Sequence, residues 1–570
     1  MNPLRIAIAQ LNFTIGDIGG NIARMQTAAQ QARQQGAQMV VFSELSLTAY
    51  YPGDLLRDKY FRQQVATGLQ KVHALSRETP GLYWVLGAPV AHQGPGKPLH
   101  NALLVIHDGE LLLSYAKQLL PTYNVFDERR HFEPGPDVGR VLRIGETRVG
   151  FLICEDGWND GGNDYSVNPL LRLVDAAPDL IISIHASPSE IGKREQRHAL
   201  FTRASKHHDI PMIYVNQVGG HDQLVFDGAS FVVTPDEGVV YEAQRFTECI
   251  DTLVYQERRI LRVDLSACRP VSIPGMSPQA FYQSQIQLGL RDYMRRCGFK
   301  KVLVGCSGGI DSALTLALAV GALGAENVVA VTMPSEYSSS GSVDDSRILC
   351  EHLGVRLYQH PINTLLAEYR QGFTGNFDVP LSGVALENLQ ARIRGIILMS
   401  FSNQFGHLLL TTGNKSEIAV GYCTLYGDTN GGLNLIGDLY KTEVFALSRH
   451  LNEQAGYDLI PETIIVKPPS AELAPGQRDE DSLPPYEVLD MVLKYLIEGD
   501  LLTGTEQVEV AEAFDRLALT PSGGELIARI KNLMARSEYK RRQAPPILRL
   551  HRRAFGNGRQ LPVAACYDYC

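Results

Sequence analysis

One stretch decides the fold of the second half of this chain: Val302-Leu303-Val304-Gly305-Cys306-Ser307-Gly308-Gly309-Ile310-Asp311-Ser312. An apolar run precedes the two glycines and the apolar segment from Ala313 to Leu323 follows them, which predicts a strand, a tight turn and a helix. Gly308 and Gly309 permit a backbone path that side chains would block. The turn leaves N–H groups free at a helix N-terminus, where the partial positive charge favours an anion. We therefore expect a phosphate-binding loop, and the missing Gly-Lys-[Ser/Thr] excludes a Walker A loop.

The side chains of this loop fit a nucleotide site that uses a metal. Ser307 and Ser312 add hydroxyl donors, and Asp311 offers a carboxylate to a metal that rides on phosphates. The order Ser-Gly-Gly-x-Asp-Ser resembles the pyrophosphate loop of the N-type ATP pyrophosphatases, which adenylylate a carbonyl oxygen with ATP and release pyrophosphate. The resemblance implies ATP contacts from Gly305, Cys306, Ser307, Gly308, Gly309, Ile310, Asp311 and Ser312.

Length and composition narrow the class of protein. A chain of 570 residues is too long for one ordinary core, and a composition of 44% apolar and 20% charged residues is typical of soluble globular proteins. The net charge of −9 and the lack of a long basic run argue against a nucleic-acid partner. The longest apolar helix candidate, Ala313 to Ala325, is too short to span a bilayer, so no membrane partner is expected. The nine cysteines form no C-x-x-C pair, which favours a reduced, cytoplasmic setting without a structural zinc site.

The apolar runs divide the chain into two α/β halves. Residues 1–265 alternate strands with helices, residues 266–280 are rich in Pro, Ser and Gly and predict a linker, and residues 281–570 alternate again. The second half predicts a doubly wound, Rossmann-like parallel sheet with its ligand at the carboxyl ends of the strands. Segments 423–437 and 468–485, rich in Gly, Pro, Asp and Asn, are predicted lids.

Three reactive residues of the first half, Glu44, Lys117 and Cys154, each follow an apolar run. If the runs are neighbouring strands, the three side chains meet at one edge of a sheet. A cysteine attacks an amide carbonyl as the thiolate, a carboxylate can take its proton, and an ammonium can stabilise the oxyanion that forms. The trio therefore predicts cleavage of an amide by a nucleophilic cysteine.

The motifs around these residues resemble the carbon–nitrogen hydrolase, or nitrilase-like, family. They are Phe-Ser-Glu-Leu at 42–45, Tyr-Ala-Lys-Gln-Leu-Leu-Pro-Thr-Tyr at 115–123 and Leu-Ile-Cys-Glu-Asp at 152–156. The resemblance covers most of residues 4–265 and implies a nitrilase-like α/β sandwich in which Glu44, Lys117 and Cys154 are catalytic. Glu128 matches a further glutamate of the family that positions the lysine; a surface charge is the alternative interpretation.

The resemblance extends to the glutamine amidotransferase members of that family. Tyr123 and Glu155 lie six residues after the lysine and one after the cysteine, where those members contact the amino-acid end of the substrate. Ser187, in Ala-Ser-Pro at 186–188, and Lys193 match a further substrate-contact motif. Many relatives have arginine at position 193, and lysine keeps the charge without the bidentate geometry. The implied glutamine-binding residues are Tyr123, Glu155, Ser187 and Lys193.

Further motifs of the second half resemble the NAD synthetase family over residues 280–560. They are Glu-Asn-Leu-Gln-Ala-Arg-Ile-Arg at 387–394, Thr-Thr-Gly-Asn-Lys-Ser-Glu at 411–417, Lys-Thr-Glu-Val at 441–444 and Pro-Ser-Ala-Glu-Leu at 469–473. The family converts nicotinic acid adenine dinucleotide to NAD through an adenylylated carboxylate that ammonia attacks. Lys441 and Thr412 are the implied further ATP contacts, and Asp311 and Glu417 are the carboxylates expected to hold Mg²⁺.

The resemblance also implies a set of residues that bind the dinucleotide: Asn388, Arg392, Arg394, Glu417 and Lys540. Arg392 and Arg394 can pair with its phosphates. A solvated surface charge is the alternative for these two and for Lys540. Cys306 and Cys423 are expected to be small packing residues.

The two resemblances together imply an enzyme that hydrolyses glutamine at one site and uses the ammonia at another, with ATP as co-substrate and nicotinic acid adenine dinucleotide as the acid. The alternatives are another ATP-dependent amidating synthetase and a scaffold without activity. The Glu-Asn-x-Gln-Ala-Arg and Gly-Asn-Lys-Ser-Glu stretches argue against the first, and the presence of Cys154 and Asp311 argues against the second. A homo-oligomer is expected.

Overall fold

The computed structural model describes residues 3–161, 164–262, 275–502 and 504–565. The chain folds as two compact units: the first comprises Met1–His221 and Val225–Gly275, the second Asp222–Leu224 and Met276–Cys570. Most of the predicted linker, residues 266–274, lies outside the described residues, so the domain limits 1–265 and 281–570 stay predictions. Within the described part of the chain, no helix is long and apolar enough to cross a membrane.

The first unit contains two large sheets with helices on their outer faces. One sheet has the order β15-β14-β1-β2-β3-β4-β5 and the other the order β13-β12-β9-β8-β7-β6, with β10 and β11 forming a separate pair. The strands are β1 Leu4–Gln10, β2 Met39–Val41, β3 Tyr83–Ala91, β4 Leu99–His107, β5 Glu110–Ala116, β6 Val141–Ile144, β7 Thr147–Ile153, β8 Leu180–His185, β9 Met212–Asn216, β10 Val218–His221, β11 Leu224–Asp227, β12 Phe231–Thr234, β13 Gly238–Glu242, β14 Cys249–Gln256 and β15 Arg259–Arg262. The helices are α1 Ile18–Gln34, α2 Lys59–Ser76, α3 Pro169–Asp175 and α4 Lys193–His208.

The inner faces of the two sheets share one apolar core. Val41 and Val105 of the first sheet belong to the same buried cluster as Phe151 and Ile182 of the second. Helices α1 and α2 begin at aspartates whose carboxylates accept backbone N–H groups of the first turn, so the sequence sets where each helix starts. The result is an α/β sandwich, as the nitrilase-like resemblance implies.

The second unit is built on a parallel sheet with the order β18-β17-β16-β19-β20. The chain moves from β16 to one side and then returns to the other, so a topological switch point lies beside β16, where doubly wound folds bind ligands. The strands are β16 Val302–Gly305, β17 Val328–Thr332, β18 Arg356–Gln359, β19 Leu408–Thr411 and β20 Leu433–Asn434. The helices are α5 Pro278–Cys297, α6 Ile310–Leu323, α7 Ser340–Leu353, α8 Asn363–Phe377, α9 Val384–Phe405, α10 Lys415–Val420, α11 Lys441–Ala455, α12 Glu462–Val466, α13 Tyr486–Ile497, α14 Gly504–Ala518, α15 Pro521–Arg536 and α16 Glu538–Arg541.

Candidate active sites

A fully buried lysine lies at the centre of the site in the first unit. The Nζ of Lys117 donates to Glu44 Oε1 at 2.8 Å and to Glu128 Oε1 at 2.7 Å. Asn101, on β4, donates to both carboxylates, at 2.7 and 3.3 Å, and Tyr50 OH donates to Glu128 at 2.8 Å. Burial alone would lower the pKa of Lys117, but Glu128 and Glu44 raise it well above its usual value. The lysine is therefore a permanent cation.

The three predicted reactive residues come from two sheets. Glu44 follows β2 and Lys117 follows β5, and two other strands separate β2 from β5 in the first sheet. Cys154 follows β7, which belongs to the second sheet. The expectation of neighbouring strands in one sheet is therefore wrong. The residues converge because the carboxyl ends of β2 and β7 and the end of β5 meet where the two sheets pack against each other.

Cys154 is held in an unusual backbone conformation at the end of β7. Its φ is +44°, in the left-handed region that non-glycine residues rarely adopt, and only 5% of the residue is exposed. Such strain persists only where the surrounding structure imposes it, and it is concentrated at active sites. Burial, together with the Glu44 carboxylate, raises the pKa of Cys154 well above its usual value, while Lys117 opposes the rise. The resting residue is therefore a thiol that needs a base to become a nucleophile.

An acidic group with two phenol partners lies next to the cysteine in the chain. Glu155 is 6% exposed and accepts from Tyr123 OH at 3.0 Å and from Tyr165 OH at 2.8 Å. Tyr123 itself is half exposed. This carboxylate can receive the ammonium group of an amino acid.

Ser187 and Lys193 are also predicted to contact glutamine, and each is held by its own set of contacts. The backbone of Ser187 is fixed by Asn216 and by the fully buried Arg197, whose guanidinium reaches Ser187 O at 2.7 Å. The Nζ of Lys193 lies 4.2 Å from the ring centroid of Trp158 and donates to Gln196. Lys193 is a cation at the start of α4, and Trp158 limits where its side chain points.

In the second unit, the predicted phosphate loop joins β16 to α6. Ser312 Oγ lies 3.3 Å from both the N–H and the Oγ of Ser307, and the Ser307 hydroxyl accepts from Gly309 N at 3.3 Å. Gly308 has φ +77°, and a Cβ there would lie 2.3 Å from the carbonyl oxygen of Ser342. Only glycine fits at this point, and Gly308, which is also predicted to contact ATP, is not among the residues that line the adjoining cavity.

The loop opens onto a cavity of about 310 Å³. Its wall includes most of the residues predicted to bind ATP, and both predicted lids contribute to it through Asn430 and Glu472. The residues of the lining that are predicted to bind ATP, the dinucleotide or Mg²⁺ are Gly305, Cys306, Ser307, Gly309, Ile310, Asp311, Ser312, Arg394, Thr412, Glu417 and Lys441. The volume and the mixed polar and apolar wall are those of a small-molecule site.

The two carboxylates expected to hold Mg²⁺ face one ammonium group. Lys441 Nζ donates to Asp311 Oδ2 at 2.5 Å and to Glu417 Oε1 at 3.2 Å, and Asn414 donates to the other oxygen of Asp311. Burial raises the pKa of Glu417 to about 8 although Lys441 lowers it, so a further cation would favour the ionised form at neutral pH. Two hard carboxylate donors beside a phosphate loop fit Mg²⁺ bound together with ATP.

Three of the residues predicted to bind the dinucleotide contact one segment, residues 421–425, and do not line the cavity. Lys540 donates to the carbonyls of Gly421 and Cys423, Arg392 donates to Leu425 O, and Asn388 accepts from Thr424. Arg394, in contrast, lines the cavity, and burial lowers its pKa to about 10. Of the predicted set, Arg394 and Glu417 are the residues that line the cavity.

Comparison with known proteins agrees with this division into two sites. The carbon–nitrogen hydrolase family model matches residues 5–259 and the NAD synthase family model matches residues 282–544. The glutamine-dependent NAD(+) synthetases of Synechocystis sp. and Thermotoga maritima are 42% and 38% identical to the chain, and each alignment covers 99% of both sequences. The chain belongs to the glutamine-dependent NAD(+) synthetase family.

A solved member of the glutamine-dependent NAD(+) synthetase family has the same fold. It is the enzyme of Acinetobacter baumannii in complex with ADP, which superimposes with a TM-score of 0.76 at 36% identity over 99% of this chain and 98% of that one. The predicted fold class, a nitrilase-like sandwich followed by a parallel synthetase sheet, is confirmed.

Sequence reasoning missed several polar residues of the site in the first unit. Asn101 and Tyr50 hold the carboxylates of the first site, Tyr165 shares Glu155, and Arg197 fixes Ser187. Asn101 had a usable signal, since it is an amide that directly precedes the apolar run of β4. Tyr165 and Arg197 had none, because they lie outside the motifs that contain their partners, Glu155 and Ser187.

Proposed function

We propose that this protein makes NAD from nicotinic acid adenine dinucleotide, ATP and the amide nitrogen of glutamine, releasing glutamate, AMP and pyrophosphate. The observation that carries the proposal is the presence, in one chain, of a buried thiol beside a carboxylate–ammonium pair and of a phosphate loop beside a carboxylate-lined cavity. A nitrogen source and a site that consumes nitrogen are what a glutamine-dependent ligase requires.

In the first unit, Glu44 takes the proton of the Cys154 thiol, and the thiolate attacks the amide carbon of glutamine. Lys117 stabilises the negative oxygen of the tetrahedral intermediate, because its ammonium is buried and held in place by two carboxylates. Ammonia leaves with the proton that Glu44 returns, and water then hydrolyses the thioester to glutamate. Glu155 receives the α-ammonium group of glutamine and Lys193 its carboxylate, so that the amide is directed at the sulfur.

In the second unit, the carboxylate of the dinucleotide attacks the α-phosphorus of ATP and pyrophosphate leaves. The loop 305–312 donates backbone N–H groups to the phosphates, Lys441 adds a positive charge, and Thr412 contributes a further polar contact. Mg²⁺ bound by Asp311 and Glu417 would neutralise charge on the leaving pyrophosphate. Ammonia then attacks the adenylylated carbonyl and AMP leaves. We assign Arg394 to the dinucleotide phosphates, and Asn388, Arg392 and Lys540 to the placement of segment 421–425 beside them.

Replacement of the thiol tests the proposal. The Cys154→Ala variant is expected to form no NAD from glutamine and to keep synthesis from ammonium salts, because the second site keeps all its parts. Cys249→Ala, which removes a half-buried cysteine of the same unit, is the control and keeps both activities. Normal glutamine use by Cys154→Ala would contradict the role of the thiol. Pyrophosphate release measured with a series of carboxylic acids identifies the acid substrate.

We also propose that the protein is a homo-oligomer. Helices α8 and α9 pack against each other and expose large apolar side chains, among them Phe377 at 64%, Ile396 at 62% and Phe405 at 59%. A second copy of the chain is the expected cover for this surface. Light scattering after gel filtration tests it: Ile396→Glu is expected to reduce the mass, and Val508→Glu, an equally exposed position on α14, is expected to leave it unchanged. Equal masses for wild type and Ile396→Glu would contradict the assignment.

We also propose that the protein is cytoplasmic. All six cysteines for which the structure describes a state are free thiols, as a reducing compartment requires.

A further inference from the structure

The phosphate loop carries a thiol that the proposed reaction does not use. Cys306 directly follows β16 and is 1% exposed, and its thiol is hydrogen-bonded to the thiol of Cys350 on α7, which is 2% exposed. The side chain of Ser346, one turn earlier on α7, contacts Cys306 as well. Two thiols in contact need only a short movement to bond, because the sulfur atoms of a disulfide lie about 2 Å apart.

The loop cannot absorb such a movement without disturbing the phosphate site. At Gly308 the loop backbone packs against the backbone of α7, where a Cβ would lie 2.3 Å from Ser342 O and 2.9 Å from Ser342 C. Drawing Cys306 toward Cys350 therefore displaces the N–H groups that follow it in the loop. A displacement of about 1 Å in groups that position a substrate lowers a rate by roughly 100-fold.

An oxidant can reach the pair through the nucleotide cavity, because Cys306 lines its wall. Contact with the Cys350 thiol, helped by Ser346 and the N–H of Gly308, lowers the pKa of Cys306 to about 7 in spite of burial. The lowered pKa favours the thiolate of Cys306, which is the form that attacks disulfides. ATP in the cavity would cover this approach.

We propose that Cys306 and Cys350 form a redox-sensitive site, in which a disulfide between them disables the nucleotide site and reduction restores it. The oxidant is a small disulfide such as glutathione disulfide. The Cys306 thiolate attacks one of its sulfur atoms and releases a small thiolate; the sulfur of Cys350 then attacks Cys306 and releases the second. Two protein thiols are oxidised, one small disulfide is reduced to two thiols, and the protons of the protein thiols pass to the released thiolates.

The experiment exposes the full chain to glutathione disulfide and measures two things. Peptide mapping without reduction is expected to find Cys306 linked to Cys350. NAD formation from ammonium, which does not involve Cys154, is expected to fall roughly 100-fold, to recover with dithiothreitol, and to fall more slowly when ATP is present. Cys350→Ala is expected to keep its activity after the same treatment, whereas Cys297→Ala, which removes an exposed cysteine of the same unit, is expected to be as sensitive as wild type.

Each contrary result has a definite meaning. Absence of the linked peptide, or equal loss of activity in Cys350→Ala, would overturn the pairing. A linked peptide with undiminished activity would overturn the link to the nucleotide site, and an equal rate of loss with ATP would overturn the access route. If Cys350→Ala does not fold, Cys350→Ser replaces it, and the peptide map of wild type decides the pairing alone. Because the map requires no enzyme assay, failure of the proposed function, seen as absent NAD formation before oxidation, is distinguishable from failure of this inference.

Discussion

At the scale of single residues, Lys117 shows how a buried charge is kept. An isolated ammonium inside a protein loses its proton because burial disfavours the charged form. Here Glu44 and Glu128 both lie within 2.8 Å of the ammonium, so it stays charged, and burial raises the pKa of Glu128 itself to about 7. Two carboxylates around one cation leave one negative charge free, and the proposed reaction uses it at Glu44 as the base.

Replacing Glu44 tests this role through pH dependence. Burial keeps the pKa of Cys154 above its usual value, so without a base the residue remains a thiol over the neutral range. Glu44→Gln is therefore expected to lower glutamine hydrolysis by roughly 1,000-fold at about pH 7 and to show no recovery toward about pH 9. Glutamate release measured across this range checks it, with Glu110→Gln, at the exposed start of β5, as control. Recovery of wild-type rates at alkaline pH would mean that Cys154 ionises without Glu44.

Replacing Asp311 tests the metal assignment. Asp311→Asn keeps the shape of the side chain but removes the charge that Mg²⁺ and Lys441 require. NAD formation is expected to be lost with both ammonium and glutamine, while glutamate release persists. Asp344→Asn, on the exposed face of α7, is expected to keep every activity. Undiminished synthesis by Asp311→Asn at ordinary magnesium concentrations would remove this residue from the metal site.

Gly308 and Gly298 form a matched pair for backbone strain. Their φ angles are +77° and +76°, but a Cβ at Gly298 meets nothing within 4 Å, whereas one at Gly308 meets the backbone of α7. Gly298→Ala is expected to lower the free energy of unfolding by about 1 kcal/mol, the cost of the left-handed conformation alone. Gly308→Ala is expected to cost more and to abolish NAD synthesis from ammonium. Equal costs in urea denaturation, with activity retained, would show that the loop does not need this close approach.

The sequence identified the reactive residues that follow apolar runs. It did not identify the residues that form hydrogen bonds within the sites and fix the positions of the reactive groups. Glu44, Lys117 and Asp311 could be named because each ends or follows a recognisable strand or turn. The partner of Asn101 could not be predicted, because its contact with Glu44 joins residues 57 apart in the chain. Arg197 could not be predicted, because it lies outside the motif that contains its partner Ser187. These residues keep the sites polar and ordered, and their roles depend on tertiary contacts that no local pattern encodes.

At the scale of secondary structure elements, the position of a strand in the chain was easier to predict than the strands that it pairs with in the sheet. The run 328–332 forms a buried strand, because buried parallel strands are short and almost wholly apolar. The run 356–359 forms the edge strand of the same sheet, and most of its residues are exposed. The partner of each strand is set by the packing of whole sheets. For that reason the meeting of Cys154 with Glu44 across two sheets was predicted as a meeting within one.

The two predicted lids, 423–437 and 468–485, can be tested as elements. Both contribute to the wall of the nucleotide cavity, and an adenylylated intermediate must be shielded from water until ammonia arrives. Limited proteolysis of the free protein is expected to cut one of the two segments, and ATP with the dinucleotide is expected to protect it. Mass spectrometry of the fragments locates the cut. Identical cleavage rates with and without ligands would rule out closure.

At the scale of the whole molecule, the important feature is that the two units are covalently linked in one chain. A hydrolase of the nitrilase type and a synthetase lie in one chain, and each is built as a complete unit with its own core. Each unit could be predicted from its own motifs, whereas the transfer of ammonia from the first site to the second could not. Linkage raises the local concentration of one reactant at the other site, but linkage alone does not stop ammonia from becoming ammonium in water.

Isotope labelling tests whether ammonia is transferred without mixing with the solvent. Neutral ammonia is the nucleophile that the adenylylated carbonyl needs, and in water near neutral pH most of it is protonated and lost to the reaction. We therefore expect a protected route.

The protein is supplied with ¹⁵N-amide glutamine and excess unlabelled ammonium, at a pH where both nitrogen sources support synthesis, and the isotope content of the NAD is measured. Protected transfer gives a label well above the fraction expected from mixing with the bulk pool. In Cys154→Ala the label should disappear, which shows that all of it came from the first site. Label in the wild-type product diluted fully to the bulk fraction would show that the two units act as independent enzymes on one chain.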